Sequence, residues 1–470
     1  MFADICRKDR TLRPYQQDAK EQIFAAWDAC DSVMFQMPTG TGKTRLFTSI
    51  IGDISTWGVL QSLNTKILIV AHRVELIEQI SESLDKYKIS HGIIAGGKDR
   101  DLTKSIQVAS IQTITHHANR DVIQDLNINF VIIDEAHHSM ANSYRKLWSM
   151  YPDAKHLGVT ATPWRMNHSG FRELYDKLIV SKPIEEFIQE GWLAPYEYYS
   201  IAPNDAIKTE IDSIDEFDME GDYKVSALEK VVDTVKIRAH LLKSYQHYAI
   251  GKKGIIYSIS RAHSDHICSE FSKAGVNIVR IDSETPRDTR RLYVKRFKEG
   301  RIDVIVNVDI FSEGFDCPDI EFIQLARPTK SLVKYLQQVG RGLRPTAGKT
   351  RCVILDNVGL HIEFGLPDAI RDWETDFEGD ENFAKAKSSS KSGSSEATHN
   401  VNYEEGEEDM CLIKGGEETD IWSPSDDELL MQLYNDKQCS IEILASVFKK
   451  SQENISNRIT LLMQNNNNIN

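Results

Sequence analysis

The stretch Met37-Pro38-Thr39-Gly40-Thr41-Gly42-Lys43-Thr44 constrains this chain more than any other. It follows the apolar run Ser32-Val33-Met34-Phe35-Gln36, which reads as a buried strand. It precedes Arg45-Leu46-Phe47-Thr48-Ser49-Ile50-Ile51, whose apolar residues have helical spacing. Strand, glycine-rich turn and helix together are the context that a phosphate-binding loop requires. Gly40 and Gly42 let backbone N–H groups close around a phosphate, and the helix N-terminus adds partial positive charge. Pro38, Thr39 and Thr41 complete the loop. Lys43 is expected to reach β/γ-phosphates, and the Thr44 hydroxyl to sit on Mg²⁺. The general pattern has Gly where this chain has Met37, so the match to that pattern is partial.

At 470 residues the chain has room for two or three domains. No run approaches the roughly 18 apolar residues of a membrane span. Met1 to Lys8 lacks the apolar centre of a signal peptide. The seven cysteines form no C-x-x-C pair, so neither a zinc site nor a disulfide framework is expected. A cytoplasmic, reducing setting is the natural reading. The net charge of −14 is unevenly spread. Residues 201–220 hold one Lys against seven Asp or Glu, and residues 381–470 sum to −8. The remainder is near neutral, so a local basic groove for nucleic acid is compatible with the acidic total.

Ahead of the loop, Leu12-Arg13-Pro14-Tyr15-Gln16 opens an amphipathic helix expected over roughly 15–29. The Gln16 amide has the donor and acceptor to pair with an adenine edge, whereas alone it would be a solvated polar residue. Residues 66–71 and 106–109 read as buried parallel strands, ending in His72-Arg73 and Ser110-Ile111-Gln112-Thr113. Polar groups there either line the crevice where parallel sheets bind ligands or cap the helices that follow. Phe130-Val131-Ile132-Ile133 runs into Asp134-Glu135-Ala136-His137-His138. Two carboxylates after a buried strand are costly unless they coordinate or hydrogen-bond something. Asp134 is placed to hold Mg²⁺, and Glu135 to orient and activate a water. His137 and His138 lack a third ligand at zinc spacing. A further strand ends in Thr160-Ala161-Thr162-Pro163, whose hydroxyls can bridge the carboxylates to their neighbours. Residues 1–200 are thus expected as one α/β unit of five or more parallel strands.

Residues 201–230 read as an acidic linker without clear period. From 231 to 380 the alternation returns, with strands near 254, 276, 303, 322 and 352. Ser312-Glu313-Gly314-Phe315-Asp316 follows the third. Gln337-Gln338-Val339-Gly340-Arg341-Gly342-Leu343-Arg344-Pro345 follows the fourth. Arg341 and Arg344, three apart, would share a helical face. They read either as a solvated face or as fingers reaching a γ-phosphate bound by the first unit, since the second has no phosphate loop of its own. Residues 381–420 form a Ser-rich, then acidic, disordered linker. Residues 421–464 carry the capping box Ser425-Asp426-Asp427-Glu428 and three short apolar-striped stretches, which suits a helix-turn-helix-like module. That module would read DNA with its third helix or contact a protein partner; that helix offers only Arg458 and the preceding Lys449 and Lys450 for the former.

With these residues laid out, the chain resembles the superfamily 2 DEAD/DEAH-box helicases. The ordered set is Arg13 to Gln16, Pro38 to Thr44, Ala71-His72-Arg73, Asp134 to His137, Thr160 to Pro163, Glu313 to Asp316 and Gln337 to Arg344. The phosphate loop of that superfamily begins Pro/Ala-Thr-Gly, which accommodates Met37. The segments from Gln324 to Pro345 and from Phe364 to Pro367 are similar to the RadD-type bacterial branch, associated with DNA repair and recombination. That branch carries clustered cysteines near its C-terminus, where this chain has only Cys411 and Cys439.

The resemblance implies two tandem RecA-like parallel-sheet domains with ATP and Mg²⁺ in the cleft. It implies nucleotide contacts for Arg13, Gln16, Pro38 to Thr44, Gly314, Asp316 and Gln337. It assigns Mg²⁺ to Thr44 and Asp134, and catalysis to Lys43, Asp134, Glu135, Arg341 and Arg344. Thr160 and Thr162 would couple hydrolysis to movement, and Arg73, Thr113 and Asn307 would lie along a nucleic-acid backbone. The function it implies is an ATP-dependent helicase or translocase on single-stranded, duplex or forked DNA. An RNA helicase and a slow, nucleotide-switched recruitment protein are the alternatives. A restriction or phage-defence motor would carry similar motifs.

Overall fold

The computed structural model describes residues 2–116, 119, 123–311, 317–379 and 410–414. Between 430 and 462 it describes 430–431, 433–434, 439–441, 443–444, 455–456, 458–459 and 462.

The first sheet has seven strands, all paired in parallel, in the order β3-β4-β2-β5-β6-β1-β7. They are β1 (Ser32–Gln36), β2 (Ile67–Ala71), β3 (Gly92–Ile94), β4 (Ile106–Ser110), β5 (Phe130–Asp134), β6 (Lys155–Thr160) and β7 (Lys177–Val180). Continuous apolar runs suit strands covered on both faces. Ile67, Ile69 and Ala71 join one core layer, while Leu68 and Val70 join the other. The helices that matter for the site are α1 (Pro14–Trp27), α2 (Lys43–Leu60), α3 (Val74–Lys86) and α4 (Ile111–Thr115). Pro14 suits the first turn of α1, where its missing N–H costs nothing.

The second sheet also has seven strands, in the order β10-β11-β9-β12-β13-β8-β14. They are β8 (Tyr196–Ser200), β9 (Gly254–Tyr257), β10 (Ile278–Ile281), β11 (Val304–Asn307), β12 (Phe322–Leu325), β13 (Cys352–Asp356) and β14 (Cys411–Lys414). All pairs are parallel except β14, which runs antiparallel to β8. One contiguous apolar cluster runs from the first sheet into the second, so the two units share a core boundary.

Four expectations about boundaries change. The second unit begins before residue 200, because β8 pairs with β13; the alternation of buried Tyr196, Tyr198 and Ser200 fits that pairing. The expected acidic linker 201–230 carries α5 (Ala206–Asp212) and α6 (Val225–Val232). Ile207, Ile211, Leu228 and Val232 recur at helical spacing and are buried, while Glu210 and Asp212 are exposed. Within the expected disordered linker 381–420, Met410 is buried and 411–414 form β14. The end of the second unit returns to the first through α7 (Trp373–Glu378): Phe377 is fully buried beside Phe171. In the expected 421–464 module, Leu430, Leu444, Ile455 and Ile459 form a small core of their own. Its capping box at 425–428 lies outside the described residues.

Candidate functional site

Strands β5, β6 and β1 lie side by side, with Asp134 opposite Val159 and Thr160 opposite Gln36. Their carboxyl ends therefore deliver the phosphate loop, the acidic pair and the threonine pair to one crevice, as parallel sheets do. Gly40 and Gly42 both have φ of +92°, a conformation that favours glycine, and a Cβ at Gly42 would lie 2.5 Å from Gln16 Nε2. The loop is thus closely cradled. Thr41 Oγ1 donates to Pro38 O at 2.7 Å, and Lys43 Nζ to Met37 O at 3.2 Å. Lys43 and Thr44 open α2, whose 18 residues leave their first N–H groups facing the loop.

Gln16, buried to 3% exposure, donates to Thr41 O at 3.0 Å and accepts from Arg13 N at 3.0 Å. Tyr15 OH donates to the same Thr41 O at 2.7 Å. The Arg13 guanidinium lies 5.0 Å over the Trp192 ring. In this arrangement the glutamine braces the phosphate loop itself.

Asp134 and Glu135 are both buried, and Glu135 has the left-handed φ of +51°. Its N–H donates to Asp134 Oδ1 at 3.1 Å. Glu135 Oε2 lies 3.5 Å from both His137 Nδ1 and Gln337 Nε2. His137 Nδ1 lies 3.1 Å from Thr160 Oγ1, which also accepts from Thr162 N at 3.1 Å. A chain of contacts thus runs from the acidic pair through His137 to Thr160 and Thr162. The sequence offers His137 only as a metal ligand; its place two residues after Glu135 is the available signal for this role.

Gln337 and Arg341 lie on α9 (Leu332–Gly342), which follows α8 (Arg287–Lys298) in the second unit and packs against β12 and β13. Arg344 lies two residues beyond its end, so the two arginines do not share a helical face as expected. Pro345 disfavours the helical conformation at residue 344. Both arginines nonetheless line the same cleft as Gly40, Lys43, Asp134 and Glu135, a space of about 1470 Å³. Burial pushes the Lys43 ammonium below its usual pKa, the Glu135 and Asp134 carboxylates pull it back up, and Arg341 and Arg344 push it down again.

The residues fit a Mg²⁺-nucleotide. Mg²⁺ keeps waters and phosphate oxygens and needs only one or two protein ligands. Thr44 and Asp134 line the cleft together, and no cluster of three or more His, Cys, Asp or Glu suited to a metal occurs among the described residues.

Of the expected nucleic-acid contacts, Arg73 and Thr113 are half-buried at the ends of β2 and β4. Arg73 donates to Asp309 O in the second unit at 2.9 Å. Asn307 is fully buried, and its Oδ1 accepts from Ile310 N and Phe311 N. These bonds shape the turn after β11. Gly314 and Asp316 lie outside the described residues.

Residues 9–165 match the family "Type III restriction enzyme, res subunit", and residues 234–346 match "Helicase conserved C-terminal domain". The chain is 36% identical over 347 residues to a 51.5 kDa protein of a Lactococcus phage, spanning 74% of this chain and 70% of that one. It is 31% identical to the putative ATP-dependent helicase IRC3 of Saccharomyces cerevisiae, over 75% of this chain and 52% of that one. It is 24% identical to the DNA 3'-5' translocase XPB2 of Sulfurisphaera tokodaii, over 71% of this chain and 78% of that one. Among solved structures, its fold is similar to a fragment of a putative HsdR subunit of a type I restriction enzyme from Vibrio vulnificus YJ016. There the TM-score is 0.61 at 22% identity, over 78% of this chain and 68% of that one. The chain thus spans about half the length of the yeast relative.

Proposed function

The chain belongs to superfamily 2 of the helicases, whose members hydrolyse ATP, and from that premise we propose that it couples ATP hydrolysis in this cleft to movement along DNA. The observation that carries the reading is the meeting, in one cleft, of a phosphate loop from one sheet and two arginines from the other. Neither unit holds a complete site alone, so turnover requires their closure, and closure and reopening is the stroke that moves a strand.

In this reading Lys43 and Thr44 hold the β/γ-phosphates and Mg²⁺, with Asp134 as the second protein contact to the ion. Glu135 orients the attacking water, and Arg341 and Arg344 meet the charge that develops on the γ-phosphate. Bound Mg²⁺ would neutralise phosphate charge. Gln16 holds the loop in register for the adenine-side contacts of Arg13. His137, between Glu135 and Thr160, carries the state of the acidic pair to the threonine pair. Arg73 and Thr113 touch the DNA backbone, mostly at phosphate, so binding is sequence-tolerant and weakens with salt.

DNA is favoured as the track by the likeness to a named DNA translocase. For the pathway we place the chain in DNA repair or recombination, in a reducing cytoplasm where its seven free cysteines stay reduced. A second reading, the motor of a restriction-type system, is favoured by the res-subunit match and the HsdR-like fold. Steady-state ATP turnover with single-stranded, duplex and forked DNA and with RNA, beside Lys43→Ala as the blank, tests the proposal. Turnover raised by DNA and not RNA, and absent in Lys43→Ala, is expected. Stimulation by RNA alone would overturn the track, and wild-type turnover in Lys43→Ala would overturn the site.

A further inference from the structure

We propose that Asp222, in the acidic insertion between β8 and β9 of the second unit, is a positioning residue that sets the rotation of the arginine-bearing helix α9. The inference rests on the reading of Arg341 as a group that meets the γ-phosphate.

Asp222 sits at the foot of a tight turn. Asp218 Oδ1 accepts from the N–H groups of Glu220, Gly221 and Asp222 at 2.9, 2.9 and 3.0 Å, and Gly221 has φ of +96°. Asp218 N donates back to Asp222 O at 2.7 Å, and Phe217 bridges Tyr223 across the turn. This closed turn presents the Asp222 carboxylate, 1% exposed, to the start of α9.

There it is surrounded by donors from one segment. Lys330 N donates at 2.8 Å, Thr329 Oγ1 at 2.9 Å and Lys334 Nζ at 2.8 Å, and Tyr223 N donates from its own side at 3.0 Å. Burial penalises the carboxylate, but Lys334, the Lys330 N–H and Arg327 more than offset that, so it stays ionised. A buried charge satisfied this fully is stiff, because any movement of the helix start leaves it short of a donor.

The geometry of α9 turns that stiffness into aim. Lys334 and Arg341 are seven residues apart, two helical turns less about 20°, so they share one stripe. Gln337, which reaches toward Glu135, is on the same stripe. Pinning Lys334 therefore fixes the angle at which Gln337 and Arg341 enter the cleft. The same segment holds Arg327, whose NH1 binds Asp309 Oδ2 at 2.5 Å, and Asp309 O accepts from Arg73 of the first unit. The insertion thus braces both the arginine helix and the loop that meets Arg73.

The test compares kcat and KM for ATP in the wild type, Asp222→Asn, Asp222→Glu and Lys334→Gln. Lys334→Gln cuts the link to the helix while leaving Asp222 its other donors, and it decides the matter if Asp222→Asn fails to fold. Expected is a fall in kcat of about tenfold or more, with KM for ATP within about twofold, because the loop that binds ATP belongs to the other unit. Asp222→Glu should recover part of the loss. A folded variant with wild-type kcat overturns the proposal, and so does a loss divided equally between kcat and KM, which marks a merely structural role. Wild-type protein without turnover would instead strike the ATPase reading beneath it.

Discussion

Gly340 of the arginine helix lies so close to Thr39 of the phosphate loop that a Cβ added at Gly340 would stand 2.6 Å from the Thr39 Cβ. The contact crosses from one unit to the other at the mouth of the cleft, and Thr39 Cβ is bonded to backbone and cannot swing aside. Gly340→Ala should therefore push the helix off the loop, although alanine is the better helix former. Relieving such an overlap costs on the order of 1–3 kcal/mol, so kcat/KM for ATP should fall by about tenfold or more. Circular dichroism should show the fold retained. Wild-type turnover in this variant would mean that hydrolysis does not pass through the closed arrangement.

Arg341 faces the same cleft from one stripe of α9 and is 5% exposed. A group that meets charge developing in the transition state affects kcat far more than ground-state affinity. Arg341→Ala should lower kcat by about 10³-fold while changing ATP affinity only a few-fold. Nucleotide binding measured by calorimetry beside steady-state turnover separates the two. If affinity and turnover fell together, the arginine would be holding the cleft shut and not serving the reaction.

Ten of the fourteen described strands were readable because each is a continuous apolar run, and most site motifs because they follow such a run directly. Residues 92–94 and 177–180 escaped notice as strands because they are short and lack a flanking motif, and 196–200 and 411–414 because polar residues interrupt or bound them. The insertion at 201–230 was read as linker because its acid content masks Ile207, Ile211, Leu228 and Val232, whose spacing is helical. Asn307 was placed on a nucleic-acid path by its motif, yet burial is set by β9 and β10 packing on both sides of β11, which local sequence does not report. The same holds for Arg344. Its position beside Gly40 depends on how the two units meet, and Arg344 Cγ would stand 3.1 Å from a Cβ at residue 40.

Thr160 links His137 to the backbone of Thr162, with all three groups buried. Thr160→Val keeps the shape and removes the oxygen, leaving His137 Nδ1 and Thr162 N without this partner, a loss of about 1–3 kcal/mol. Thr160 Oγ1 reaches the acidic pair through His137 and not directly. Basal turnover should stay within about threefold, while the increase on adding DNA should drop by about tenfold or more. A DNA titration of turnover in both proteins measures this. Equal loss of basal and DNA-driven rates would place Thr160 in the hydrolytic step and not in its coupling to DNA.

His156 and His263 predict a response to acid. His156 is 2% exposed and stacks on Trp148 at 4.3 Å, and His263 is fully buried. Burial pushes each imidazole from the usual 6.5 down to about 4. Both are neutral in the fold, while in the unfolded chain both take up a proton as pH falls through about 6.5. The unfolded state therefore binds more protons between about pH 6.5 and 4, and stability falls with falling pH across that window. Each group contributes up to about 3 kcal/mol of that loss. Asp376 acts in the opposite sense: burial raises its carboxyl to about 6, so the folded state takes up that proton first as pH falls. The two histidines together outweigh it. His156→Phe keeps a ring against Trp148 and removes one titration, so urea midpoints measured from pH 7.5 to 4.5 should fall less steeply in the variant than in the wild type. Identical slopes would mean that His156 is protonated within the fold and that its stacking on Trp148 does not exclude charge.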